Sequence, residues 1–202
     1  MKLPTPKQAL TYFDTYHVPK NITAHCLAVQ RYSLYLAKQL QKAGMKADLE
    51  LVDRLALLHD LFKAVTVDLT KVDSFHQYKA NEQELAAWRE LKKKYPGKHE
   101  SEIAYDLLKG DFPEFAQALK NSCHPLRKKK IEELIVHYID WRVIKEDLVS
   151  LDERFAYLQE RYPQFQKLYG EGVKLIKASE KEIFSRLPFS PEELKSEEQH
   201  GQ

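Results

Sequence analysis

Six side chains that can bind a metal ion lie on or beside apolar helix faces in separate parts of the chain. They are His25, His59, Asp60, His99, His124 and Asp140. Imidazole and carboxylate groups are ligands for Fe, Mn, Co, Ni and Zn, and a bound cation offsets the cost of burying Asp60 and Asp140. Four of these groups are enough for one ion, and all six could hold two with Asp60 bridging. We therefore expect one or two divalent metal ions.

The stretch "LALLHDLFK", residues 55 to 63, places His59 and Asp60 side by side in an otherwise apolar run. An unpaired carboxylate in a low-dielectric interior costs several kcal/mol, so both groups need partners. A metal ion is one such partner, and a purely structural hydrogen-bonded pair is the alternative. Lys63 follows about one turn after His59. It could contact a substrate phosphate as a point charge or be a solvated lysine at a helix end.

Helices must position these groups, because the chain has only 6 glycines in 202 residues and few β-branched runs. Apolar periodicity and helix breakers predict helices over residues 6–16, 49–62, 81–95, 99–110, 113–123, 129–145, 151–161 and 164–186. A further long helix is predicted from a cap at Asn21 or Thr23 to about residue 43. Residues 64–80 lack helical period and are expected to form a loop or lid. The fold class predicted is all-α.

Composition limits the functions to consider. One domain is expected over residues 1–187, followed by a polar, disordered tail over 188–202. With 32 Lys and Arg against 30 Asp and Glu there is no strong nucleic-acid signal. The sequence shows no signal peptide and no membrane-spanning run, and its two cysteines, Cys26 and Cys123, fit free thiols in a reducing compartment. We expect a cytoplasmic protein, while its oligomeric state stays open.

The order of the candidate ligands points to a known family. His25 opens one amphipathic helix, His59 and Asp60 close the next in "HDLFK", and Asp140 lies in "HYIDWRV". This H…HD…D pattern resembles the HD-domain superfamily of metal-dependent phosphohydrolases, over residues 20–160. The resemblance implies an HD-domain-like helical bundle in which these four residues bind metal. Lys63 stands where the family often carries a lysine, three residues after the Asp of the pair.

Some branches of the superfamily carry two further histidines and bind a two-metal centre. His99 in "KHESEIA" and His124 in "LKNSCHP" stand in the corresponding places, which implies that both are ligands. The layout is similar to that of the symmetrical diadenosine-tetraphosphate hydrolases and the HD-GYP phosphodiesterases. Neither the GYP loop nor a His-Thr-rich motif is present, so no particular substrate is indicated.

The chemistry expected is hydrolysis of a phosphate ester or anhydride in a small phosphorylated substrate such as a nucleotide. The metal would activate water and polarise the phosphoryl oxygen while Asp60 orients or deprotonates the nucleophile. Lys63, helped by Arg127 or Arg142, would bind the phosphate and offset charge in the transition state.

Two other functions fit the same residues. A di-iron centre in this fold could carry out an oxygenase reaction, and a module with a structural or vestigial metal site could sense nucleotides without turnover. His137, one turn before Asp140, could replace one of the ligands or orient Asp140 through a hydrogen bond.

Overall fold

The computed structural model describes residues 1–66, 78–124, 127–161, 163 and 166–195, with only the backbone described for 166–169. Helices dominate it, which confirms the all-α fold class. Helices α1 to α10 span Pro6–Thr15, Lys20–Lys42, Leu49–Leu58, Lys63–Thr66, Glu82–Lys94, Glu100–Leu108, Pro113–Ser122, Ile131–Asp140, Leu151–Arg161 and Gln166–Phe184. Strands β1 (Val143–Ile144) and β2 (Asp147–Leu148) form a small antiparallel hairpin, and a 3-10 helix spans Pro191–Glu193.

The helices begin where the local sequence provides caps. Thr5 caps α1 in a capping box with Gln8, and the Asp48 carboxylate accepts hydrogen bonds from the first amides of α3. Helix α2 starts earlier than predicted, because Pro19 is its N-cap and neither Asn21 nor Thr23 fills that position. Proline suits a helix start because its ring fixes φ near the helical value.

The core is built where α2 and α3 pack against each other and against α8. Helix α2 contributes one face, whereas α3 is buried nearly all round from Leu51 to Leu58. Burying a leucine side chain contributes about 1.5–3 kcal/mol, so these contacts hold the three helices firmly. The candidate ligands His25, His59, Asp60 and Asp140 lie on these helices or just after them.

The predicted helix over 129–145 is shorter in the structure, because α8 ends at Asp140 and a hairpin follows. Val143 pairs with Leu148, and the turn between them contains Lys145 at φ 57. A left-handed residue cannot continue an α-helix and is typical of two-residue hairpin turns. The hairpin brings the backbone of Lys145 back over α2.

The end of the chain differs from the disordered tail expected over 188–202. Up to residue 195 it packs on the body, with Leu194 completely buried. Arg142 Nη1 donates to the Pro191 carbonyl at 2.9 Å, and Ser190 caps the 3-10 helix. An apolar residue in the polar stretch, together with a buried cation that needs acceptors, explains this docking. Residues 196–202 lie outside the described residues.

Most of the expected loop or lid over 64–80 falls outside the described residues, which omit 67–77. Its first residues, 64–66, belong to α4 instead. Both cysteines are free thiols, with Cys26 buried and Cys123 partly buried. Among the described residues, no helix combines the length and apolar character needed to cross a membrane.

Candidate metal centre

Three elements deliver four polar side chains to one place beside the core. His25 projects from the first turns of α2, and Asp140 is the last residue of α8. His59 and Asp60 follow the end of α3, where the backbone hydrogen bonds from Leu61 and Lys63 span three residues rather than four. The chain therefore leaves the α-helix at the His-Asp pair, in a tighter turn.

The four side chains form a compact cluster. Ligand atoms of His25, His59 and Asp60 all lie within 4.8 Å of one another, which places this group to hold a metal ion. Asp140 Oδ1 lies 3.1 Å from His25 Nε2 and 3.4 Å from His59 Nε2. His59 Nε2 also lies 3.8 Å from Asp60 Oδ2. The cluster contains two imidazoles and two carboxylates, a mixed N and O set that suits Fe, Mn, Co, Ni or Zn.

Backbone carbonyls fix which nitrogen of each imidazole faces the cluster. His59 Nδ1–H donates to the Ala56 carbonyl at 2.7 Å, and His25 Nδ1–H donates to the Lys145 carbonyl at 3.0 Å. In the neutral rings, Nε2 then carries a lone pair, which is the form that binds a metal. The left-handed turn residue Lys145 thus orients a candidate ligand, His25, 120 positions away in the sequence.

The electrostatics of the cluster call for a cation. His59 Nε2 is buried without a hydrogen-bond partner, although carboxylate oxygens surround it. Burial favours neutral His59, yet Asp60, Cys26 and Asp140 raise its pKa well above the ordinary value. Burial likewise opposes ionisation of Asp140, yet His59 and His25 hold its pKa well below normal. A proton or a metal ion on Nε2 would satisfy both demands, so these residues fit a divalent ion.

His99 stands apart from this group. Its Nδ1 accepts the Ser101 amide at 3.3 Å as the N-cap of α6, and its Nε2 lies 3.3 Å from Glu100 Oε1. With Nδ1 accepting, the proton of the neutral ring is on Nε2, which faces the Glu100 carboxylate. In the structure His99 therefore caps α6 and lies outside the clustered group, and its role as a metal ligand stays a prediction.

His124, the other predicted ligand for a second ion, follows α7 and is exposed. Desolvation and the cations Arg127 and Lys129 lower its pKa. Lys129 Nζ donates to the backbone carbonyls of His124 and Arg127, and desolvation lowers the pKa of Lys129 to about 8. Arg127 donates to Asn121 Oδ1 at 3.0 Å from an exposed position. In the described part of the chain, His124 does not belong to any group of three or more side chains placed to share a metal ion.

The position of Arg142 does not fit the prediction that this residue binds a substrate phosphate. Its side chain is only 4% exposed. Its Nε donates to the Val149 carbonyl at 2.6 Å, and its Nη1 donates to Tyr138 Oη and the Pro191 carbonyl. Through these hydrogen bonds the guanidinium links α8 to the end of the hairpin and to the C-terminal segment. The sequence could not show this, because the acceptors are mainly backbone carbonyls.

Lys63 lies beside the cluster, as predicted, but a residue that the sequence analysis missed holds it there. Lys63 Nζ lies 2.9 Å from Glu100 Oε1 and 3.6 Å from Asp60 Oδ1. Thr66 Oγ1 donates to Glu100 Oε2 at 2.9 Å. Although burial favours neutral Glu100, Lys63 and His99 lower its pKa to about 2. The one sequence signal was a glutamate beside His99 at a helix start, where carboxylates are common.

His137 is buried on α8. Desolvation, reinforced by Lys129, lowers its pKa to about 4, and its ring faces Trp141. Within the described residues, it does not belong to any group of three or more side chains placed to share a metal ion. His137 is therefore a neutral, packed histidine next to the cluster.

Comparison with known proteins gives a family match that covers the candidate metal centre. A family model described as HD domain matches residues 8–161, which includes all four clustered residues. No curated protein and no solved structure matches the chain.

Proposed function

The chain belongs to the HD domain family, and we propose that it is a metal-dependent hydrolase of phosphate esters or anhydrides. HD domains are typically metal-dependent hydrolases, which gives the family-level support. The substrate proposed is a nucleotide or a related small phosphorylated metabolite. The observation that carries the proposal is the pair of Nε2 atoms from His25 and His59 directed at the carboxylates of Asp60 and Asp140.

The ligands proposed for one divalent ion are His25, His59, Asp60 and Asp140. Such an ion supplies Lewis acidity, which makes water a stronger nucleophile near neutral pH and polarises a phosphoryl oxygen. Asp60 is 16% exposed and directs one oxygen toward His59, so it is the group proposed to orient or deprotonate the attacking water. Its other oxygen faces Lys63.

Lys63 and Arg127 are the proposed phosphate-binding cations. The Lys63 side chain is 37% exposed, and Glu100 anchors its ammonium at 2.9 Å. Asp60 and Glu100 outweigh desolvation and keep the pKa of Lys63 well above normal, so it stays charged. A fixed positive charge beside the water-activating group stabilises the charge on phosphoryl oxygens in the transition state. Arg127 is exposed and can reach a larger anionic substrate.

The test is phosphate release by the purified chain. The chain is stripped with a chelator, reloaded with Mn²⁺ or Fe²⁺, and assayed on p-nitrophenyl phosphate, nucleoside mono- and triphosphates and dinucleoside polyphosphates. We expect turnover only in the reloaded protein. Asp60→Asn should reduce it by about 10²–10⁴-fold, the range typical of a lost acid–base group.

Asp106→Asn is the matched control, because Asp106 is a carboxylate that pairs with Lys98 and Lys109 on the outer side of α6. This variant should keep wild-type turnover. Binding of nucleotides without phosphate release under any metal would contradict the proposal and support the sensing module. Dioxygen uptake by the iron-loaded protein, without phosphate release, would support an oxygenase.

A further inference from the structure

The ammonium of Lys63 stands between two carboxylates. It lies 2.9 Å from Glu100 Oε1 and 3.6 Å from Asp60 Oδ1. Glu100 is only 5% exposed, and its second oxygen accepts from Thr66. A two-metal centre would supply a second positive charge beside the first ion, and here the Lys63 ammonium is the positive charge next to the proposed ligand Asp60.

The charges around the centre already balance with one divalent ion. Asp60, Asp140 and Glu100 supply three negative charges, while the neutral imidazoles supply none. One divalent ion and the Lys63 ammonium supply three positive charges. A second divalent ion would leave an excess of positive charge in a partly buried site, where uncompensated charge is costly.

Two groups that could bind a second metal ion, His99 and Glu100, already have other partners. The ring of His99 caps α6 through Nδ1 and has Nε2 beside Glu100 Oε1. The same Glu100 oxygen is bound by Lys63. Glu100 therefore holds together the lysine and the histidine that the sequence had placed in different roles.

We propose that Lys63, held in place by Glu100, takes the position of a second metal ion, so that the centre binds one divalent ion per chain. The inference rests on the proposed function in taking the cluster as a phosphohydrolase centre. Glu100 is a positioning residue in this account, because it acts through Lys63. The substrate then meets one metal ion and one fixed ammonium.

The test counts Mn²⁺ ions on the intact chain. The stripped protein is titrated with Mn²⁺, and electron paramagnetic resonance measures the free ion and the form of the bound signal. We expect wild type to saturate at one ion per chain with the signal of an isolated ion. Saturation at two ions, with the signal of a magnetically coupled pair, would overturn the inference.

Lys63→Met tests the replacement directly. Without the ammonium, Asp60 and Glu100 face each other uncompensated, so this variant should bind a second Mn²⁺. Lys109→Met, which removes a surface lysine paired with Asp106, should stay at one ion. If Lys63→Met also stays at one ion, Lys63 does not occupy a cation site and the inference fails.

Glu100→Gln tests the positioning role separately. It should keep one Mn²⁺ per chain and lower kcat by about tenfold or more, with a smaller change in KM, since the ammonium is needed most in the transition state. Unchanged kcat would contradict the role of Glu100. Phosphate release by a protein with two ions would refute this inference and leave the proposed function standing. A one-ion protein that hydrolyses no phosphate would do the reverse.

Discussion

Replacing His137 by Gln should remove a specific part of the acid sensitivity of the fold. His137 is 8% exposed on α8, and its N–H donates to the Ser122 backbone. The groups that act on it are Lys129 and His124, which lower its pKa, and Asp140, which raises it. Desolvation dominates and brings the pKa to about 4 in the folded protein, against about 6.5 in an unfolded chain.

The sign of the effect follows from proton binding. Between pH 6.5 and 4 the unfolded chain binds a proton at His137 and the folded protein does not, so acid favours unfolding. Stability from this residue is fully present above pH 6.5 and is lost as the pH falls toward 4. At pH 4.5 the loss should be about 2–3 kcal/mol, because one pKa unit corresponds to about 1.4 kcal/mol.

The assay is urea unfolding of wild type and His137→Gln in chelator, at intervals from pH 7.5 to 4.5. Carboxylates titrate in both proteins, so the difference between the two free energies of unfolding isolates His137. We expect wild type to lose about 2–3 kcal/mol more than the variant across this range. A difference that is constant with pH would refute the claim that His137 is buried in its neutral form.

Three further outcomes are expected. Adding Mn²⁺ at about 100 times its Kd to stripped protein should raise the free energy of unfolding by about 2.7 kcal/mol, and calorimetry showing no rise would exclude a site in the folded state. Arg142→Ala should destabilise the fold by about 3 kcal/mol or more, measured in urea, because buried acceptors lose their donor; the folded variant should still bind one Mn²⁺. His99→Asn should change stability little and keep the metal, since Asn is a good N-cap, whereas His99→Ala should cost about 1 kcal/mol.

Four residues of the candidate site were predicted from the sequence: His25, His59, Asp60 and Asp140. Each lies on or next to an apolar helix face, and burying such groups without partners is costly, which marked them as candidate ligands. The resemblance of their order to the H…HD…D pattern then assigned the four to one site. Lys63 was recognised for a different reason: it lies one turn after His59, where the resembling family often carries a lysine. The structure places all five within one small region.

Other features depended on contacts that no local pattern encodes. Glu100 looked like an ordinary first-turn acid of a helix, and its link to Lys63 arises only when α6 packs near α4. Arg142 looked like a cation available to bind a phosphate, but its guanidinium donates hydrogen bonds to the carbonyls of Val149 and Pro191. The hairpin after Asp140 was missed because its sequence continues the apolar period of α8, and a lysine at φ 57 gives no turn signal.

The most direct test of the account measures metal content and phosphate release on the same preparations of wild type and Asp140→Asn. Asp140 Oδ1 lies within 3.4 Å of Nε2 of both His25 and His59, the proposed ligand imidazoles, so its charge should be essential for binding the ion. We predict one divalent ion per chain and phosphate release for wild type, and loss of both in a variant that remains folded by circular dichroism. A folded Asp140→Asn that releases phosphate at the wild-type rate, or a wild type that binds no divalent ion, would contradict the account.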